Sequence, residues 1–99
     1  VERVKNGNNF KVVDPKQTEH LVRLLDVETP ELTQPYGIQA WKTLRKLIRR
    51  KQVRIFHRFF DGHGRILGKV YVDNLWVNME LVKRGLAWAR PDAPKPLKE

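Results

Sequence analysis

The segment Val22-Arg-Leu-Leu-Asp-Val-Glu-Thr-Pro-Glu31 sets an arginine, an apolar run and then two carboxylates around a Thr-Pro pair. A second piece, Asp61-Gly-His-Gly-Arg65, supplies another arginine. Two guanidiniums and a carboxylate are what a phosphodiester-cleaving site needs. The planar N–H forks of Arg23 and Arg65 suit a phosphate, and a carboxylate suits proton removal from water. Each residue also has a plainer reading. Glu31 after Pro30 is an ordinary turn acid, Arg23 suits an ion pair with Asp26 or Glu28, and Arg65 beside a hairpin is a surface residue.

Charge points the same way. Twenty Lys and Arg face eleven Asp and Glu, a formal net charge of +9. No acid lies between Glu31 and Asp61, while Lys42, Arg45, Lys46, Arg49, Arg50, Lys51, Arg54 and Arg58 all do. Such a field attracts polyanions, of which nucleic acid is the usual one. A solubilising helix face is the rival, but no acids interleave to form its i,i+4 pairs. Arg45, Arg49 and Arg50 are therefore candidate nucleic-acid contacts. Phe56 and Phe60 share a strand face with Arg54 and Arg58, a mixture that suits single-strand stacking or packing under a helix. Trp41, Trp76 and Trp88 read as core.

The elements that must position these residues fit one small domain of 99 residues. No cysteine is present, which excludes disulfides and thiolate chemistry and leaves the compartment open. No apolar run of about 18 residues spans a membrane. No basic-then-apolar leader is visible, and Val1 in place of methionine points to a trimmed start. Oligomeric state is not legible.

Asn6-Gly-Asn-Asn9 reads as a turn, Phe10 to Val13 as a strand, and Asp14-Pro-Lys-Gln17 as a hairpin turn. Thr18 to Val27 reads as one strand covered on both sides, because its apolar residues are too dense for alternation. Trp41, Leu44, Leu47 and Ile48 recur at helical spacing within Pro35 to Arg50. Val53 to Phe60 is a strand with Val53, Ile55, His57 and Phe59 on one face, and Asp61-Gly-His-Gly64 a tight connection to Ile66–Val72. Asn78 suits the N-cap of a helix through Arg84, closed by Gly85. Residues 1–90 form the domain, and the proline-rich 91–99 an extended mobile tail. Periodicity alone leaves several α+β folds open.

Several pieces together resemble the staphylococcal nuclease-like family, whose domains are OB-folds. They are Arg-Leu-Leu-x-Val-x-Thr-Pro-Glu from Arg23 to Glu31, Pro35-Tyr-Gly37 then Ala40, Asp61-x-x-Gly-Arg65, Val72-Asp73, Val77-Asn78, Leu81-Val82 and Gly85-Leu-Ala87. The resemblance runs from Val4 to about Trp88. It implies an α+β, mainly β architecture, a five-stranded OB-fold barrel with two helices, lacking the family's C-terminal helix. The implied chemistry is metal-assisted hydrolysis of DNA or RNA with little sequence preference. Glu31 would be general base, Arg23 and Arg65 the phosphate clamps, and calcium a Lewis acid. It is compatible with a secreted or periplasmic setting and leaves the compartment unknown.

The chain departs from the family pattern at the metal. Asn6-Gly-Asn-Asn9 stands in place of Asp-Gly-Asp-Thr, so Asn8 replaces a ligand carboxylate, and Glu28 replaces the aspartate before Thr29-Pro30. Asn8, Glu28 and the Thr29 carbonyl are the remaining calcium candidates, a weakened set. Gly62 and His63 occupy the positions of a substrate-holding tyrosine and lysine, and a protonated His63 still donates to phosphate. The strand before Val4 is short, and an open barrel edge invites pairing with another chain. The rival expectations are a non-catalytic nucleic-acid-binding OB module with a degraded calcium site, and a protein-interaction domain whose basic helix meets an acidic partner.

Overall fold

Alternation drives the central strands. Phe10 and Val12 of β2 (Asn9–Val13) and Val22 and Leu24 of β3 (Glu19–Leu24) turn inward, while Lys11, Leu21 and Arg23 stay half-buried on the other face. The intervening turn is held by Asp14, whose Oδ1 accepts the N–H groups of Lys16 and Thr18 at 2.9 Å each. The structure is a computed structural model and describes residues 1–94 and Leu97, the side chain of Arg58 excepted. Its other elements are β1 (Arg3–Val4), β4 (Val27–Glu28), α1 (Gly37–Ile48), β5 (Arg54–Phe60), β6 (Ile66–Val72), β7 (Leu75–Trp76), α2 (Val77–Lys83) and β8 (Trp88–Ala89).

The strands run in the order β1-β2-β3-β6-β5, with β7 on β6 and a separate β4–β8 pair. Among the described residues β3 and β6 pair in parallel and the other ladders are antiparallel. The sheet curls into a half-barrel that the two helices accompany, as expected of an OB-type fold. Ala40, Leu44 and Ile48 of α1 and Val77 and Leu81 of α2 are fully buried beside Phe10, Val22, Leu24 and Val70. The 3.6-residue spacing of the α1 stripe is what brings these side chains to one side.

Several expectations are corrected. Thr18 to Val27 is not one strand: the chain turns at Leu25–Asp26, with Asp26 at φ 65°, and resumes as β4. Nor is β3 covered on both sides, since its buried residues alternate. Asn78 is not a cap. Trp76 precedes the first turn of α2, and Asn78 lies inside it, fully buried. Its amide accepts from Val70 N at 2.9 Å and donates to Leu25 O at 3.0 Å and Gly68 O at 3.3 Å. It thus replaces strand pairing where β3 leaves β6, because backbone groups buried there cannot stay unpaired. Gly85, at φ 74°, does close α2 as its position suggests.

In β5 the pairing register shifts between His57 and Phe59. One extra residue reverses the facing of everything after it. Phe59 therefore joins Phe56 on the outer face, while Phe60 joins His57, ring against ring at 4.7 Å. Phe56 and Phe60 do not share a face, and neither packs under a helix, being 53% and 65% exposed. The Arg58 side chain, expected beside them, lies outside the described residues. Trp88 is exposed rather than core, and His57 is exposed as well. Within 91–99, Ala93 and Leu97 are buried in the core cluster, so these positions do not belong to a free tail. Residues 95, 96, 98 and 99 lie outside the described residues.

Candidate functional site

The two arginines reach one end of the sheet by strand register. Arg23 on β3 sits opposite Asn9 of β2 on one side and Leu67 of β6 on the other. Paired residues share a face, so Arg23 and Asn9 point the same way, and Leu67 brings the hairpin with Arg65 alongside. Contact is made through Asn9, whose Oδ1 accepts from Arg65 Nη1 at 3.0 Å. Asn9 Nδ2 in turn donates to Asn6 Oδ1 at 2.9 Å and Asn8 Oδ1 at 3.0 Å, and Asn8 N donates to Asn6 Oδ1 at 3.0 Å. The 6–9 turn is thus an amide network that holds a guanidinium, a role not anticipated from sequence. Three asparagines in four residues were its signal. A Cβ at Gly7 would lie 2.8 Å from Thr29 Oγ1, so only glycine lets this turn pack against the Thr29 segment.

Arg65 is fixed from its other side by Asp61. Arg65 Nε donates to Asp61 Oδ2 at 2.6 Å, and the backbone N–H groups of His63 and Arg65 donate to Asp61 Oδ1 at 2.8 and 2.9 Å. Partial burial pushes the Asp61 carboxyl upward, but these N–H donors and the guanidinium outweigh it and bring its pKa down to about 2. Asp61 therefore stays ionised and its hairpin stays closed. His63 is exposed at the tip.

Arg23 Nη2 donates to Glu28 Oε2 at 2.8 Å. Glu28 also accepts from Arg90 Nη1 at 3.3 Å, a residue brought in by the β4–β8 ladder and not anticipated from sequence. Arg90 Nε lies 3.7 Å from Asp92 Oδ1. Among the described residues Arg23 keeps Nε and Nη1 uncommitted and Arg65 keeps Nη2, because each guanidinium carries five N–H donors. Both side chains remain partly open, at 21% and 26% exposure, so an anion can reach these donors.

Glu31 is exposed on the loop before α1. Its N–H donates to Gln34 Oε1 at 2.7 Å, and its carbonyl accepts from Gln34 N at 2.9 Å. A Cβ at Gly37 would fall 1.8 Å from that carbonyl, so a glycine opening α1 is required for the loop to fold back. Among the described residues the Glu31 carboxylate takes no hydrogen bond or ion pair, from either arginine or elsewhere. Arg45 and Arg49 line an open basic cleft on α1 with Lys42 and Lys46, Arg45 lying 5.3 Å above the Trp41 ring. Arg50 follows the helix, exposed. Among the described residues no hydrogen bond or ion pair joins these three arginines to Glu31.

The donor set does not fit a calcium cage. Both Glu28 oxygens are engaged by arginines, and Asn8 Oδ1 already accepts from Asn9. No group of three His, Cys, Asp or Glu side chains suited to a metal ion occurs among the described residues. Calcium wants six to eight oxygens with negative charge among them. Thr29 adds little to a set whose one carboxylate is already neutralised.

Comparison with known proteins agrees with the motifs. The family model described as Staphylococcal nuclease homologue matches residues 21–98. An uncharacterized endonuclease of Haemophilus influenzae is 33% identical over 89 residues, covering 90% of this chain and 50% of that protein. A micrococcal nuclease of Shigella flexneri is 32% identical over 105 residues, covering 97% of this chain and 60% of that protein. A probable staphylococcal-like nuclease of Oryza sativa subsp. japonica is 36% identical over 84 residues, covering 80% of this chain and 22% of that much longer protein. The chain thus spans half to three fifths of the two bacterial relatives. With the match extending over most of its length, the chain belongs to the staphylococcal nuclease homologue family.

Proposed function

We propose that the chain hydrolyses phosphodiester bonds of DNA or RNA with little sequence preference. The observation that carries this reading is the Arg23–Asn9–Arg65 alignment, which brings two partly exposed arginines to one end of the sheet. Glu28 and Asp61 fix one edge of each and leave other donors for phosphate oxygens. Glu31, with no partner on its carboxylate among the described residues, is the base: it takes a proton from water as the water oxygen attacks phosphorus. The bond from phosphorus to the leaving sugar oxygen breaks, and that oxygen takes a proton from solvent. Arg23 and Arg65 stabilise the added negative charge on the non-bridging oxygens. No step is assigned to a metal.

Glu31→Gln is expected to slow cleavage of single-stranded DNA by roughly 10²–10⁴-fold, the usual contribution of a positioned base. Unchanged cleavage would remove Glu31 from the mechanism. The same assay, run with calcium and then with chelator, reads out the ion. Asn8→Asp is expected to raise calcium affinity, and an unchanged titration would remove Asn8 from any ion site.

A second reading, a non-catalytic nucleic-acid-binding module, is favoured by the amide character of the 6–9 turn and the neutralised Glu28. It predicts a salt-steep gel shift with no cleavage products.

A further inference from the structure

The outer face of β5, β6 and β7 carries a row of rings and cations that the site above does not use. Tyr71 stacks on Trp76 at 6.3 Å and 14°, and meets Phe56 edge-on at 5.5 Å. Arg54 lies 5.7 Å over Tyr71, and Lys69 5.3 Å over Trp76. Arg54, Phe56, Lys69 and Tyr71 surround an open cleft of about 320 Å³. Beyond the register shift the same face continues with Phe59 opposite Leu67, and Leu67 is opposite Arg23. Phe59 and Leu67 line a second cleft of about 220 Å³ together with Arg23, Glu28 and Arg90. One face therefore runs from Trp76 through Phe56 and Phe59 to the arginines.

The geometry points to this face as a binding track for single-stranded nucleic acid that leads to Arg23. Phe56 and Phe59 offer base-stacking surfaces, exposed at 53% and 55%, and Arg54 and Lys69 are phosphate contacts beside them. Stacking on aromatics suits any base, because every base has a π-face. Pairing steps place the two phenylalanine rows two residues apart along β6, from Lys69 to Leu67. That is about 6.6 Å at the usual strand rise, roughly twice the 3.4 Å base spacing of a duplex strand. Bases on the two rings must then be unstacked from each other, which an extended single strand allows and a duplex does not. The chain's net charge of +9 complements such a ligand. This inference deepens the phosphodiesterase reading and rests on its choice of nucleic acid as ligand.

The test is fluorescence anisotropy with a labelled single-stranded deoxyribonucleotide 12-mer and with the matching duplex, both carrying phosphorothioate linkages to slow turnover. The Phe56→Ala/Phe59→Ala double variant is expected to bind the single strand at least about tenfold more weakly, with duplex binding changed less than twofold. Phe56→Trp, which keeps a stacking surface, is expected to retain single-strand affinity. Parental single-strand affinity in the double variant overturns the proposal, and so does an equal loss on single strand and duplex. If the parent sediments as a dimer that the double variant dissolves, with single-strand affinity unchanged, the face is an interface between copies and the proposal falls. Cleavage of a dinucleotide, too short to span the face, is measured in parallel. Binding lost with dinucleotide cleavage intact supports the track. Binding with no cleavage by the parent sinks the hydrolase reading and leaves the track standing.

Discussion

Asp61 and Asn9 set Arg65 more firmly than the motif suggests. An ionised carboxylate grips Nε while a neutral amide takes Nη1, so the guanidinium plane is held at two points. The Asp61 pKa of about 2 lies below the roughly 3.9 of an unfolded aspartate. Its contribution to stability is therefore complete above about pH 4 and lost as pH falls through about 2. Carboxyl carbon NMR titration is expected to show Asp61 protonating in that lower range, with the hairpin amides of His63 and Arg65 shifting together. A normal carboxyl titration would mean the contact is not kept in solution. Arg65→Lys is expected to raise KM for oligonucleotide, because an ammonium cannot satisfy Asp61, Asn9 and a phosphate in one plane. Steady-state kinetics reads this directly.

At the scale of elements, Asn78 joins α2 to the two strands that carry the site. It holds the Leu25 turn, from which Glu28 descends, against Gly68 and Val70 of β6. Asn78→Ala leaves the buried Val70 N–H and two carbonyls without this amide. We expect a loss of about 2–4 kcal/mol, measurable by urea unfolding. A loss below about 0.5 kcal/mol would show that water replaces the amide at little cost. Much at this scale was legible beforehand. The α1 stripe, the hairpin at Asp61 and the Gly85 closure depend on residues near one another in the chain. The shift in β5 was not, because Phe56 to Phe60 offers apolar residues on both parities and gives pairing no local preference. Asn78 misled for a related reason: a polar residue at a helix start is an N-cap by propensity, until a packed sheet offers it buried backbone to bond.

Across the whole molecule, the 91–99 segment contributes to the core through Ala93 and Leu97, against its proline-rich composition. Leu97 is only 2% exposed, so Leu97→Ala is expected to cost about 2–4 kcal/mol. Thermal unfolding checks this, and an unchanged midpoint would place the segment outside the cooperative unit. Charge also acts at this scale. Replacing Arg45 and Arg49 together by alanine is expected to weaken nucleic-acid binding on all sequences alike. The salt slope should fall by about one for each phosphate that is no longer neutralised. A slope unaltered by that double substitution would assign the α1 cleft to solvation alone.

Residue types and short spacings in the chain were enough for the family, and they made Arg23, Arg65, Glu31 and the basic field the candidates. These depend on chemistry carried by each residue and on turns of a few positions. Tertiary structure decided which groups touch. Asn9 meets Arg65 across 56 residues, Asn78 meets Leu25 across 53, and Arg90 meets Glu28 across 62. It also decided that Glu28 would be spent on arginines rather than left open for a metal, and that Phe56 and Phe59 would face solvent on one side of the sheet. Such outcomes follow from register and burial, which are properties of several strands at once and have no signature within any one of them.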